Sequence, residues 1–173
     1  IGKAVDQPVY KLLSDEVSPS NQVRIYASGG VCHAWYDKGE EELIEEALRY
    51  KAAGYDTFKF RNGTSWKHSG MTMEQYIVVL ERLREAVGPE FKLVLEKFPW
   101  PYEQILKELC PVLEALRFYW FEEPVEHTGP VALEQHLAIN EAMPSVMVSG
   151  GESWWNRYQV EPFVAAGAIN IIQ

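Results

Sequence analysis

Three glutamates close three successive apolar, strand-like runs: Glu96 in KLVLEKF, Glu122 in RFYWFEEP and Glu152 in SVMVSGGE. They stand 26 and 30 residues apart, roughly one strand-plus-helix unit each. A parallel α/β chain with that rhythm brings the three carboxylates to one rim of its sheet. Like charges a few Å apart in low dielectric repel strongly unless a cation sits among them. Hard carboxylate oxygens on a rigid scaffold suit Mg²⁺ better than zinc. Upstream, in TFKFRNG, strand alternation puts Lys59 and Arg61 on one face and Phe58 and Phe60 on the other. Two cations aimed into a sheet interior, opposite three acids and a divalent metal, make a receptor for an anionic carboxylate. Such a receptor stabilises charge that develops as an alpha proton leaves. The lesser alternative is a structural salt-bridge network among the same residues, which spacing alone also permits.

Six segments must position these groups. Strand candidates begin near Val23, Thr57, Lys92, Phe118, Val146 and Ala168, all short and rich in β-branched and aromatic residues. Between them lie amphipathic stretches with helix punctuation. Gly39 to Ala53 carries acids in its first turn and ends at Gly54. Thr72-x-x-Gln75 is a capping-box pattern opening a helix to Val87, with Gly88 behind it. Pro101 suits the first position of a helix ending near Leu116, and Pro130 and Asn156 are comparable start signals. Alternating strand and helix with short connections predicts a parallel sheet with right-handed crossovers.

A barrel is favoured over a doubly wound sheet. No G-x-G-x-x-G loop follows the first strand. The candidate groups fall instead at the C-terminal ends of four different strands, the pattern of a TIM-type barrel. A closed barrel needs eight strands and about 200 or more residues, whereas this chain of 173 residues stops on its sixth. The fold expected is α/β, an incomplete (β/α) barrel of about six parallel strands.

Composition narrows the partners. Sixteen basic against twenty-five acidic residues give a formal charge of −9, and no basic stripe is present, which argues against nucleic acid and anionic membranes. No apolar run approaches the ~20 residues that span a bilayer, and residues 1–30 lack signal-peptide character. Cys32 and Cys110 lie in unlike settings and read as free thiols in a reducing compartment. A soluble, cytoplasmic protein is expected.

The stretches GKAVDQPVYKLL, VRIYASGG, GYDTFKFRNG, LREAVGPEFKLVLE, YWFEEP and SGGE, in this order over nearly the whole chain, resemble the enolase superfamily. The likeness is greatest to its mandelate racemase and muconate-lactonising branch. The resemblance implies Mg²⁺ bound by acids of the third, fourth and fifth barrel strands, which fall on Glu96, Glu122 and Glu152. It implies a lysine-x-lysine or lysine-x-arginine pair on the second strand, here Lys59 and Arg61. It implies removal of the proton alpha to a carboxylate, with the metal holding the enediolate. It also makes residues 1 to about 20 a remnant of an N-terminal capping domain and linker, and residues 21–173 the partial barrel. The histidine–aspartate base of such enzymes belongs after the sixth and seventh strands, at positions past Gln173.

Two departures bear on chemistry. The first metal position is commonly aspartate with asparagine two residues on, whereas here Glu96 is followed by Lys97 and Phe98. Arg61 keeps its proton near neutral pH, so it is an anion clamp and not a base. Lys59 would be a base only with a strongly lowered pKa, so both are expected to hold substrate. Glu123, on the other strand face from Glu122, is read as a supporting acid. His33, Trp35, Trp66, His68, Trp154 and Trp155 follow strand ends and fit the mouth of the site, while His127 and His136 read as surface residues. The expected activity is Mg²⁺-dependent dehydration of an acid sugar, or racemisation of a small carboxylate. The alternative is a truncated, catalytically incompetent barrel that binds metal or only assembles. Unpaired edges of a six-stranded sheet predict a homo-oligomer.

Overall fold

The structure, a computed structural model, describes residues 1–15, 22–30, 40–61, 71–96 and 100–173. Six short runs pair as parallel strands in one sheet: β1 (Ala27–Gly29), β2 (Thr57–Phe60), β3 (Lys92–Glu96), β4 (Trp120–Glu122), β5 (Met147–Gly150) and β6 (Ile171–Ile172). Their spatial order is their chain order, β1-β2-β3-β4-β5-β6, as in successive staves of a barrel. This is the incomplete α/β barrel expected from the sequence. Strands start later than their apolar runs do: β1 at Ala27 and not Val23, β4 at Trp120 and not Phe118, β6 at Ile171 and not Ala168.

Helices lie between the strands. A 3-10 turn (Gly2–Ala4) and α1 (Val9–Leu12) precede the sheet, and only Gly2 is buried in that segment. Then follow α2 (Glu41–Ala52) and α3 (Met73–Val87). Next comes α4, a composite of Tyr102–Gln104, a π turn over Ile105–Leu109, and Cys110–Ala115. The last two are α5 (Ala132–Ala142) and α6 (Arg157–Ala165). Thr72 and Gln75 form the full capping box of α3: the Thr72 hydroxyl accepts from the Gln75 amide and the Gln75 side chain accepts from the Thr72 amide. Asn156 caps α6 by accepting from the Tyr158 amide at 3.0 Å. Pro101 is the N-cap of α4 and not its first helical residue. The π turn falls just ahead of Pro111, which has no amide to donate and crowds the carbonyl four residues back.

Alternation divides the sheet. Phe58, Phe60, Leu93, Leu95, Phe121 and Val148 join Leu43, Tyr76, Leu80, Ile105, Leu113 and Ile139 of the helices in one continuous core. The intervening strand residues, Lys59, Val94, Glu96, Trp120, Glu122 and Ser149, therefore face the other way. The polar face of the sheet is the barrel-interior face, and it carries the candidate chemistry.

Candidate active site

Register decides which acids meet. Glu96 at the end of β3 pairs directly with Glu122 at the end of β4, so their carboxylates stand side by side on the interior face. Lys59 rises from β2 one layer below, opposite Val94. Its ammonium reaches both acids: Nζ lies 2.5 Å from Glu122 Oε1 and 3.3 Å from Glu96 Oε2. Arg61 joins from the tip of β2, with Nη1 3.1 Å from Glu96 Oε1. The Trp120 indole, two residues before Glu122 on the same strand face, donates to Glu122 Oε2 at 3.2 Å. Tyr26 stands edge-on to Trp120, ring centres 5.3 Å apart, and its face lies 6.0 Å from Lys59 Nζ.

These groups are withdrawn from water: the side chain of Glu122 is 3% exposed, that of Lys59 13% and that of Glu96 15%. Burial pulls the Lys59 pKa down. The hydrogen bond and charge of Glu122, with the charge of Glu96, outweigh it and leave the pKa above the ordinary lysine value. Lys59 is a cation here, and a poor base. Trp120 and Tyr26 are the site residues that sequence reasoning passed over. The available signal for Trp120 was its two-residue offset from Glu122, which places both on one face.

Glu152 stands apart from this group. The residue of β5 in register with Glu122 is Ser149, buried, with its hydroxyl 3.2 Å from Gln173 Oε1. The strand ends at Gly150, Gly151 turns at φ +120°, and Glu152 lies exposed in the turn beyond. Glu96 and Glu122 are the last residues of their strands, but Glu152 is two residues past its own. Among the described residues no three His, Cys, Asp or Glu side chains are grouped closely enough to hold a metal ion.

The two histidines read as surface residues are both buried, His127 at 6% and His136 at 0% exposure. His127 packs edge-on against Trp154 and His136 edge-on against Phe163, so aromatic contacts carry both inward. Glu123 is also buried and turns away from Glu122 to the Gly151 amide. Trp154 lies tilted against Phe163, ring centres 4.8 Å apart, and is partly covered, whereas Trp155 is almost wholly exposed. Cys110 is a free buried thiol whose pKa burial pushes up to about 12. Cys32, His33, Trp35, Trp66 and His68 lie outside the described residues, as do Lys97 and Phe98. Among the described residues no helix is long and apolar enough to cross a membrane.

Residues 42–173 match the family model described as enolase C-terminal domain-like, and the chain belongs to that family. It is similar to arabinonate dehydratase of Saccharolobus solfataricus, 29% identical over 100% of this chain and 42% of that protein. It is 28% identical to D-galactarolactone cycloisomerase of Agrobacterium fabrum over 87% of this chain and 37% of that protein. Among solved structures, a member of the enolase superfamily from Polaromonas sp. JS666 superposes with a TM-score of 0.76. It is 26% identical, over 99% of this chain and 42% of that one. A racemase from Streptomyces coelicolor solved with bound magnesium is alike in fold, with a TM-score of 0.67 and 21% identity over 87% of this chain and 41% of its own. The chain therefore spans well under half the length of the relatives it matches.

The donor set fits magnesium in kind. Two glutamates from neighbouring strands already bring oxygens to one cationic centre, the Lys59 ammonium. Mg²⁺ is commonly held by one or two carboxylates, with water and substrate completing its shell. Glu96 and Glu122 are the residues that would hold it.

Proposed function

We propose that this chain carries the metal- and carboxylate-binding part of a barrel enzyme that removes the proton alpha to a carboxylate, in the manner of an acid-sugar dehydratase. Glu96 and Glu122 are the proposed Mg²⁺ side chains, and Glu152, exposed two residues past the end of β5, is the proposed third acid that the turn would have to bring to them. Lys59 and Arg61 are the proposed clamp for the substrate carboxylate. The observation that carries the reading is the in-register pair Glu96 and Glu122 converging on Lys59. Dehydratase and cycloisomerase relatives support the reaction class. Bound there, Mg²⁺ would supply a compact positive charge that favours departure of the alpha proton.

The chain's own residues divide the remaining work. Lys59, held protonated, and Arg61 orient an anionic substrate and offset its charge. Trp120 donates to one Glu122 oxygen while Lys59 holds the other. Neither cation takes the proton, so the base is a further residue. A second, non-catalytic reading rests on the same ion pairs, because Lys59 and Arg61 could serve only to neutralise Glu96 and Glu122.

Calorimetric titration with Mg²⁺ separates the two. Under the first reading the chain binds Mg²⁺, and Glu96→Gln and Glu122→Gln each weaken binding at least ~10-fold. An acid-sugar panel assayed with Mg²⁺ then reports dehydration that Glu122→Gln removes. Mg²⁺ affinity indifferent to both substitutions would leave only the salt-bridge network.

A further inference from the structure

Beside Glu122, pointing away from the Lys59 face, is a second buried acid that the proposed chemistry does not use. Glu123 is 4% exposed, and its backbone is left-handed at φ +48°. That conformation is unfavourable for a residue with a Cβ and persists only where the surroundings impose it. The surroundings are the tip of the neighbouring strand. The Glu123 amide donates to the Ser149 carbonyl at 2.8 Å, and its Oε1 accepts from the Gly151 amide at 2.9 Å. One residue thus grips β5 on both sides of Gly150. Its other oxygen lies 3.2 Å from His127 Nδ1, a close contact not aligned along the ring N–H.

The grip continues past Gly151. The His127 carbonyl accepts from the Trp154 indole at 3.4 Å, and the two rings meet edge to face at 5.3 Å. Trp154 rests in turn on Phe163 of α6. Gly151 has no room for a side chain, since a Cβ there would come within 2.9 Å of the Trp154 ring and 3.0 Å of the Gln173 carbonyl. The turn that carries Glu152 is therefore pinned at both ends, at the Gly151 amide by Glu123 and at Trp154 by His127.

We infer that Glu123 and His127 are a positioning pair that fixes the turn after β5 and so sets where Glu152 stands relative to Glu122. A buried carboxylate kept only for folding would need partners anywhere in the core. These partners lie at the rim, on the backbone leading into the turn that carries Glu152. The inference rests on the proposed part of Glu152 in Mg²⁺ binding for its consequence, but not for the pin itself.

The test uses Glu123→Ala, Glu123→Gln, Glu152→Gln and the double variant Glu123→Ala/Glu152→Gln. Hydrogen exchange at the Gly151 amide reads the pin. Glu123→Ala should speed exchange about 10-fold or more, while Glu123→Gln, whose amide oxygen still accepts, keeps it slow. Mg²⁺ calorimetry reads the consequence. Glu123→Ala weakens binding about 10-fold, a typical loss for a residue orienting a ligand, and the loss disappears in the Glu152→Gln background. Unchanged Gly151 exchange in Glu123→Ala overturns the inference. So does a loss of Mg²⁺ affinity that persists undiminished without the Glu152 carboxylate. If the unaltered chain binds no Mg²⁺, the metal reading fails by itself and the exchange result still decides the pin. Should Glu123→Ala not fold, His127→Phe keeps a ring against Trp154 while removing the contact to Glu123. Faster Gly151 exchange in that variant supports the inference, and unchanged exchange overturns it.

Discussion

Lys59 is the residue on which the site turns. A largely enclosed ammonium pairs here with both Glu96 and Glu122, and removing one partner from such a set costs far more than the set contributes. Lys59→Met should lower stability by about 3 kcal/mol, and Mg²⁺, if Glu96 and Glu122 take it, should restore part of that loss. Thermal unfolding with and without Mg²⁺ checks both statements. The alkaline limb has a definite sign. The folded pKa of Lys59 is raised, so its contribution is whole below about pH 10.4, the ordinary lysine value, and fades as pH climbs through the folded value. That fading should be absent from Lys59→Met. At this scale the sequence was informative: strand alternation alone put Lys59 with Arg61 and away from Phe58 and Phe60. It could not say that Lys59 would spend its charge on Glu122, because that contact joins residues 63 apart in the chain.

Between elements, two side chains act as staples. Arg84 of α3 gives Nε to Leu116 O at 2.8 Å, Nη1 to Gly88 O and Phe91 O at 2.8 and 2.5 Å, and Nη2 to Arg117 O at 3.1 Å. It thereby closes the ends of α3 and α4 and the approaches to β3 and β4, opposite the rim that bears the glutamates. Arg84→Met leaves those carbonyls short of a donor and should cost about 2–4 kcal/mol, seen as a lower urea midpoint, with Mg²⁺ affinity unchanged. His136 of α5 works in reverse. Burial lowers its pKa; the His127 charge lowers it further, and its hydrogen bond to Ala132 O and the Glu123 charge oppose the shift only in part. Below about pH 6.5 the unfolded chain takes up a proton that the folded chain refuses, so stability falls with pH. His136→Leu should flatten that slope between pH 7.5 and 5.5 in urea unfolding. Capping boxes were readable at this scale, since Thr72 and Gln75 need only each other. The burial of His127 and His136 was not, because Trp154 and Phe163 approach them from other elements.

Among the described residues the sheet runs from β1 to β6, and these two strands do not pair with each other. Val23, Ile25 and Tyr26 beside β1 are apolar and substantially exposed. Backbone donors and apolar side chains at a sheet edge invite pairing with another chain, and self-association is accordingly the expected behaviour in solution. Light scattering coupled to size-exclusion chromatography should report a dimer or larger species, and a stable monomer at micromolar concentration would count against it.

The sequence by itself determined the six strands and the helices between them, their parallel sense, the caps at Thr72 and Asn156, and the shared face of Lys59 and Arg61. Each depends on residues within a turn or two of one another. Only the tertiary structure decided which acids converge. Glu96, Glu122 and Glu152 look equivalent along the chain, each following an apolar run. Yet β5 stops at Gly150, so Ser149 takes the place beside Glu122 and Glu152 passes into the turn. Strand register and strand end depend on hydrogen bonds to a neighbour about 25 residues away, and no local pattern encodes them.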